Sequence, residues 1–144
     1  MAKRSGDVEH IVVHCTATRP SQDIGLTDID AWHRHRGFLG CGYHLIIKRD
    51  GTVEHGRGLD EVGAHARGFN HNSIAVALVG GVTEEDVNVP ENNFTDNQFT
   101  SLREVLTELK EAYQSAQILG HRDLPNVKKA CPSFDVQEWL DSWD

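Results

Sequence analysis

The sequence predicts an α/β fold, a single domain with a central mixed β-sheet flanked by helices, and three observations carry that prediction. Ser73 to Val79 is nearly all apolar and is closed by Gly80-Gly81, the pattern of a strand covered on both faces at the centre of a sheet. Arg49-Asp50-Gly51 lies between two short apolar segments, and Asp-Gly supplies the positive-φ positions of a tight hairpin. Phe99, Leu102, Val105, Leu106, Leu109 and Tyr113 recur at three- and four-residue steps, the stripe of an amphipathic helix. Strands interleaved with helices then imply a sheet that is part hairpin and part crossover.

Each element has its own signal. His10-Ile11-Val12-Val13-His14 is a β-branched run followed by a polar stretch with Pro20, so a first strand ends at residue 14. Thr27 and Asp30 have capping-box spacing, Ile29, Trp32 and His33 share a face, and Gly37 can stop the chain; together they predict a helix near 28–36. The hairpin pairs Gly42–Lys48 with Thr52–Gly56. Glu84 to Asn93 is acidic, carries Pro90 and has no periodicity, which makes it a surface loop. Thr95 with Gln98 forms a capping box for a helix near 96–115. Ile118-Leu119 is a brief strand delivering His121, and Asp135 with Glu138 caps a last helix bearing Trp139, Leu140 and Trp143.

At 144 residues the chain is about one domain long, residues 1–144, so one site is the expected unit of function. With 38% hydrophobic and 25% charged residues it has the make-up of a globular domain rather than a disordered one. Fourteen basic residues against 22 acidic ones give a net charge of −8, so no positive field is available to neutralise phosphates, and nucleic-acid binding is not expected. The apolar runs fall far short of the roughly 20 residues that cross a bilayer, and the start of the chain has no apolar stretch of signal-peptide length. No membrane insertion and synthesis in a cytoplasm are the expectations. Three cysteines at irregular spacing do not suit a disulfide framework and leave thiols for packing or metal ligation.

Thiolate and neutral imidazole are preferred zinc ligands, and a catalytic zinc keeps three protein ligands and an open fourth position. No C-x-x-C or H-E-x-x-H occurs, so any such site is assembled by the fold. The candidates are His14, at a strand end, with His121 and Cys131, joined by the loop Arg122 to Ala130. Each alone also has an ordinary structural explanation, a packed histidine or a small buried thiol. His33, His35, His55 and His71 sit among polar neighbours and are expected to be solvated. Cys15 follows His14 directly, but neighbours on a strand point to opposite faces, which disfavours a cysteine nucleophile with a histidine base.

Four blocks in order, His14-Cys15-Thr16-Ala17-Thr18, Gly42-Tyr43-His44 to Asp50-Gly51, His71-Asn72-Ser73-Ile74 to Gly80-Gly81, and Lys129-Ala130-Cys131-Pro132-Ser133-Phe134-Asp135, resemble the type 2 zinc amidases. That family includes phage endolysins and peptidoglycan recognition proteins. The resemblance implies the fold of those proteins and an N-acetylmuramoyl-L-alanine amidase, which hydrolyses the amide between N-acetylmuramic acid and L-alanine of peptidoglycan. It implies that His14, His121 and Cys131 hold one Zn2+ ion, that Tyr43 and Lys129 are catalytic groups on its open side, and that His65 lies at the peptide-binding groove. Lys128 is the neighbour most easily confused with Lys129. Asp123 and Asn72 are candidates to receive the second ring N–H of a ligating histidine.

The same resemblance implies a phage lysis enzyme of the host cytoplasm, working as a monomer and reaching the cell wall only through a hole made by a separate holin. A phage member of the family also inhibits an RNA polymerase through the arm that precedes its first zinc ligand. That arm is shorter here, so RNA polymerase contact is the weaker partner expectation. The alternative to hydrolysis is a non-catalytic peptidoglycan-binding module, as in family members that lack the cysteine ligand.

Overall fold

Ile11-Val12-Val13, whose branched side chains suit a pleated surface, form the centre of strand β1 (His10–Cys15). The computed structural model describes residues 2–143, so the two end positions of the expected 1–144 domain lie outside the described residues. Strand β1 runs parallel to both of its neighbours, β4 (Ser73–Leu78) and β5 (Gln117–Gly120). Strand β2 (Leu45–Ile47) is parallel to β4 and turns back on itself through Asp50-Gly51 into antiparallel β3 (Val53–His55). The order β3-β2-β4-β1-β5 is therefore the mixed sheet expected, hairpin at one edge and crossovers elsewhere.

The period of two along each strand divides the sheet into unlike faces. Ile11, Val13 and Cys15 of β1, Ile74, Val76 and Leu78 of β4, and Leu45 and Ile47 of β2 share one buried cluster with Leu102, Val105, Leu106 and Leu109 of α2 (Asp96–Ala112). Val136, from the short helix α3 (Val136–Asp141), joins the same cluster, and Phe94, Phe99, Phe134 and Trp139 extend it edge to face. On the opposite face Ile46 packs with Ile24, Ile29 and Cys41, under helix α1 (Leu26–His35). Val12 packs there with Ala66 and Leu124. Helices thus cover one face and one flank, while loops cover the rest of the second face.

Two local expectations change. Helix α1 begins at Leu26, two residues earlier than the spacing of Thr27 and Asp30 predicts, with Gly25 at the cap. The reason is tertiary: the Glu54 carboxylate, from β3, accepts the Leu26 N–H at 2.9 Å, while Asp28 accepts that of Gly25 at 3.2 Å. Asp30 is then free to receive the Cys41 N–H at 2.7 Å. His33 is buried rather than solvated, because its Nδ1 accepts the Gly42 N–H at 2.8 Å and its ring packs on Phe38 and Tyr43. His35, His55 and His71 are exposed, as expected.

The capping box of α2 does more than stop fraying. Gln98 and Thr95 exchange the two reciprocal bonds, at 3.0 and 3.1 Å. The fully buried Gln98 amide also donates to the carbonyls of Ile47 and Val79 and accepts from Arg49, so it ties the helix to β2 and to the residue after β4. Removing it strands buried polar partners as well as the cap. Gln98→Ala is expected to destabilise the fold by about 2–4 kcal/mol, read as a lower urea midpoint at unchanged m-value.

Candidate metal centre

His14 is the last residue but one of β1, on the loop-covered face, 2% exposed, with Ala77 beside it in register on β4. A larger side chain at Ala77 would compete for that space, so the small residue makes room for the imidazole. β5 hands directly to a short 3-10 turn, His121–Asp123, and places His121 next to His14, ring centroids 4.4 Å apart. The loop after it folds back: the Arg122 N–H donates to the Cys131 carbonyl at 2.9 Å. The Cys15 N–H donates to Cys131 Sγ at 3.1 Å. Cys131 Sγ lies 3.7 Å from His14 Nδ1.

The donor atoms of His14, His121 and Cys131 all fall within 4.8 Å of one another. A tetrahedral zinc with bonds of about 2.0–2.3 Å needs donors roughly 3.3–3.8 Å apart, so the set fits with only a small contraction. Burial holds His14 well below the usual imidazole range, and His65, His121 and Lys129 reinforce it. Burial and Lys129 lower His121 as well. Both rings therefore stand neutral, as metal ligands must. The hydrogen bond with the Cys15 thiol and burial push the Cys131 thiol up, so without a cation it keeps its proton.

The other expected residues surround this set. Tyr43 packs on His14, ring centroids 5.2 Å apart, and burial followed by the neighbouring cysteines pushes its phenol well above the ordinary range. It is a proton donor, not a phenolate. Lys129 is exposed, yet its charge is felt by His14, His121 and Cys131 alike. His65 touches His14 itself: its Nδ1 is 2.8 Å from His14 Nε2, and its Nε2 is 2.9 Å from Ser73 Oγ. Asp123 accepts the Gly120 N–H at 2.8 Å and the Asn72 amide donates to Glu9 at 2.7 Å, and neither is hydrogen-bonded to a ring nitrogen of His14 or His121. Ser73, at the start of β4, was not visible as a site residue in the sequence, where a serine opening an apolar run reads only as a strand boundary.

Three donors that converge at the carboxyl ends of β1 and β5 form a set that could hold a metal ion, in a mixed α/β fold whose relatives are hydrolases. Residues 4–134 match the N-acetylmuramoyl-L-alanine amidase family, and the chain belongs to it. The endolysin of Enterobacteria phage T3 is 49% identical over 137 residues, 95% of this chain and 88% of that protein, and the endolysin of Escherichia phage T7 is 48% identical over the same shares. Among solved structures, the N-acetylmuramoyl-L-alanine amidase LysC of Clostridium intestinale superposes with a TM-score of 0.77 at 31% identity, covering 93% of this chain and 83% of that one. The protein is an amidase of this family.

The Cys131 proton must leave when an ion binds while the histidines are already neutral, but the bond with Cys131 pulls Cys15 down to about 7, so zinc uptake by metal-free protein is expected to release up to about one proton per ion at pH 7. Affinity then rises with pH, by about tenfold per unit below the thiol's own range. Titration calorimetry in two buffers of different ionisation enthalpy reads the proton count. Cys131→Ser should abolish both the release and most of the affinity.

Proposed function

We propose that this chain holds one zinc ion on His14, His121 and Cys131 and hydrolyses the amide between N-acetylmuramic acid and L-alanine of peptidoglycan as a phage lysis enzyme. The observation that carries the proposal is the meeting of those three donors, 14, 121 and 131 along the chain, within 4.8 Å in a member of the amidase family. At such a set, zinc supplies Lewis acidity and a water activated near neutral pH.

The chain's own residues supply the rest. His14 and His121 stay neutral and keep their lone pairs. The Lys129 ammonium stands where negative charge develops on the substrate carbonyl oxygen, and an oriented cation stabilises that charge. Lys129 rather than Lys128 fits this role, because it is the lysine whose charge reaches the ligands. Tyr43, held protonated by burial, donates a hydrogen bond to the reacting groups and is placed to pass a proton to the leaving amine.

All these groups come from one chain, which supports action as a monomer. The likeness to two phage endolysins supports synthesis in the host cytoplasm followed by release to the wall through a holin lesion. No helix among the described residues is long and apolar enough to cross a membrane.

Purified protein incubated with sacculi should release L-alanine amino termini, lose this activity to a chelator and regain it with zinc. Lys129→Ala is expected to keep one zinc per chain while losing about 100- to 1,000-fold in turnover, and Tyr43→Phe to lose rate on a similar scale. Retention on sacculi with no amino termini released would replace hydrolysis by recognition alone.

A further inference from the structure

His14 uses only one ring nitrogen toward Cys131; the other ends on a chain of three hydrogen bonds. The chain starts at the backbone carbonyl of Phe69, which can only accept, so the Ser73 hydroxyl donates its single proton there at 2.6 Å. Ser73 Oγ must then accept from its other partner, which puts the proton of His65 on Nε2, 2.9 Å away. A neutral imidazole carries one ring proton, so His65 Nδ1 is bare and accepts from His14 Nε2 at 2.8 Å. His14 Nδ1 is left as the lone pair, 3.7 Å from Cys131 Sγ.

We infer that His65 is a positioning residue that, anchored by Ser73 and the Phe69 carbonyl, fixes His14 in the Nε2–H tautomer and so aims its Nδ1 lone pair at the metal. The inference rests on the zinc centre proposed above and assigns the group that orients its first ligand. With both nitrogens engaged inside the protein, His65 has no ring nitrogen left for a substrate. Its backbone is held independently of its ring. Asn70 Oδ1 accepts the N–H groups of both His65 and Ala66, at 2.9 Å each. Ser73 is fully buried at the first position of β4. The neighbouring His44 does not compete for His65, since its own nitrogens go to the Ala75 N–H and the Glu61 carbonyl. The relay is thus set at its far end by a group with no proton to give, and one direction of donation follows along its whole length.

Long-range 1H–15N spectra of the metal-free full chain at pH 7 test this without any ion present. His14 and His65 should each appear as a single Nε2–H tautomer. In Ser73→Ala, which keeps the packing nearly intact, both should become tautomer mixtures. Zinc affinity, measured by competition with a chromophoric chelator, should fall about 10- to 100-fold in His65→Phe, the range found when such a partner is removed, and recover largely in His65→Asn, whose carbonyl oxygen can take the place of Nδ1. A proton on His14 Nδ1 in the metal-free wild type, or full zinc affinity in folded His65→Phe, would overturn the relay. If the wild type shows the expected tautomers but Cys131→Ser binds zinc as tightly as it does, the relay stands and the ligand set is what fails.

Discussion

The hydrogen bond from the Cys15 N–H to Cys131 Sγ is the contact on which the site depends, because it joins the end of β1 to a loop 116 residues further along the chain. A donor set drawn from such distant segments has no local reason to meet. Closing long loops costs chain entropy that grows only slowly with length, so the sheet must repay it through burial. It does so by running β1 between β4 and β5, with Ile11, Val12 and Val13 fully buried. Parallel pairing of β1 with β5 puts the carboxyl ends of both strands on one edge, and His14 and His121 stand there for that reason. Sites in open α/β sheets gather at this edge for the same geometric cause.

The two faces of the sheet divide the work. The face under α2 and α3 is dense with branched and aromatic side chains, and Gln98 locks the helix to β2 and to the residue after β4. The opposite face gives up packing at β4, where Ala75 and Ala77 stand among larger neighbours. That loss leaves room for imidazoles, and three of them are paired rather than stranded: His14 with His65, His65 with Ser73, His44 with backbone at both nitrogens. Buried polar networks are tolerable only when each member has its partner.

Much of this was legible in residue pattern. The apolar run of β4, the Asp-Gly hairpin and the stripe of α2 each carry a period or a turn residue that needs no tertiary information. The donors His14, His121 and Cys131 were legible only as candidates, since spacing alone does not bring them together; the four family-like blocks did that. Two features lay beyond the sequence because partners distant along the chain decide them. The start of α1 is set by Glu54 from β3, and the burial of His33 by Gly42, and neither has a local signature. The role of His65 is less legible still. Gly63-Ala64-His65-Ala66 marks a position, but which nitrogen bears the proton follows from a carbonyl at residue 69 and a hydroxyl at residue 73.

In the mechanism proposed above, Lys129 is one charge that serves the ligands and the substrate at once. In a chain of net charge −8, an ammonium beside the donor set is locally unusual, and it opposes any cation bound there. It also lowers the proton affinity of His14 and His121, and so removes the competitor that most often empties an imidazole site. Because Lys129 is exposed, water and salt screen its repulsion of a bound ion. On the mechanism proposed above, a substrate closing over the site would displace that screening, and the same charge would act at higher strength on the oxygen that turns negative. A lysine buried among the ligands would have repelled the ion throughout, and one farther out would reach neither the imidazoles nor the oxygen. Exposure at the rim, two residues before Cys131 in the chain, is the arrangement under which the proposed ion would bind first and the ammonium act afterwards.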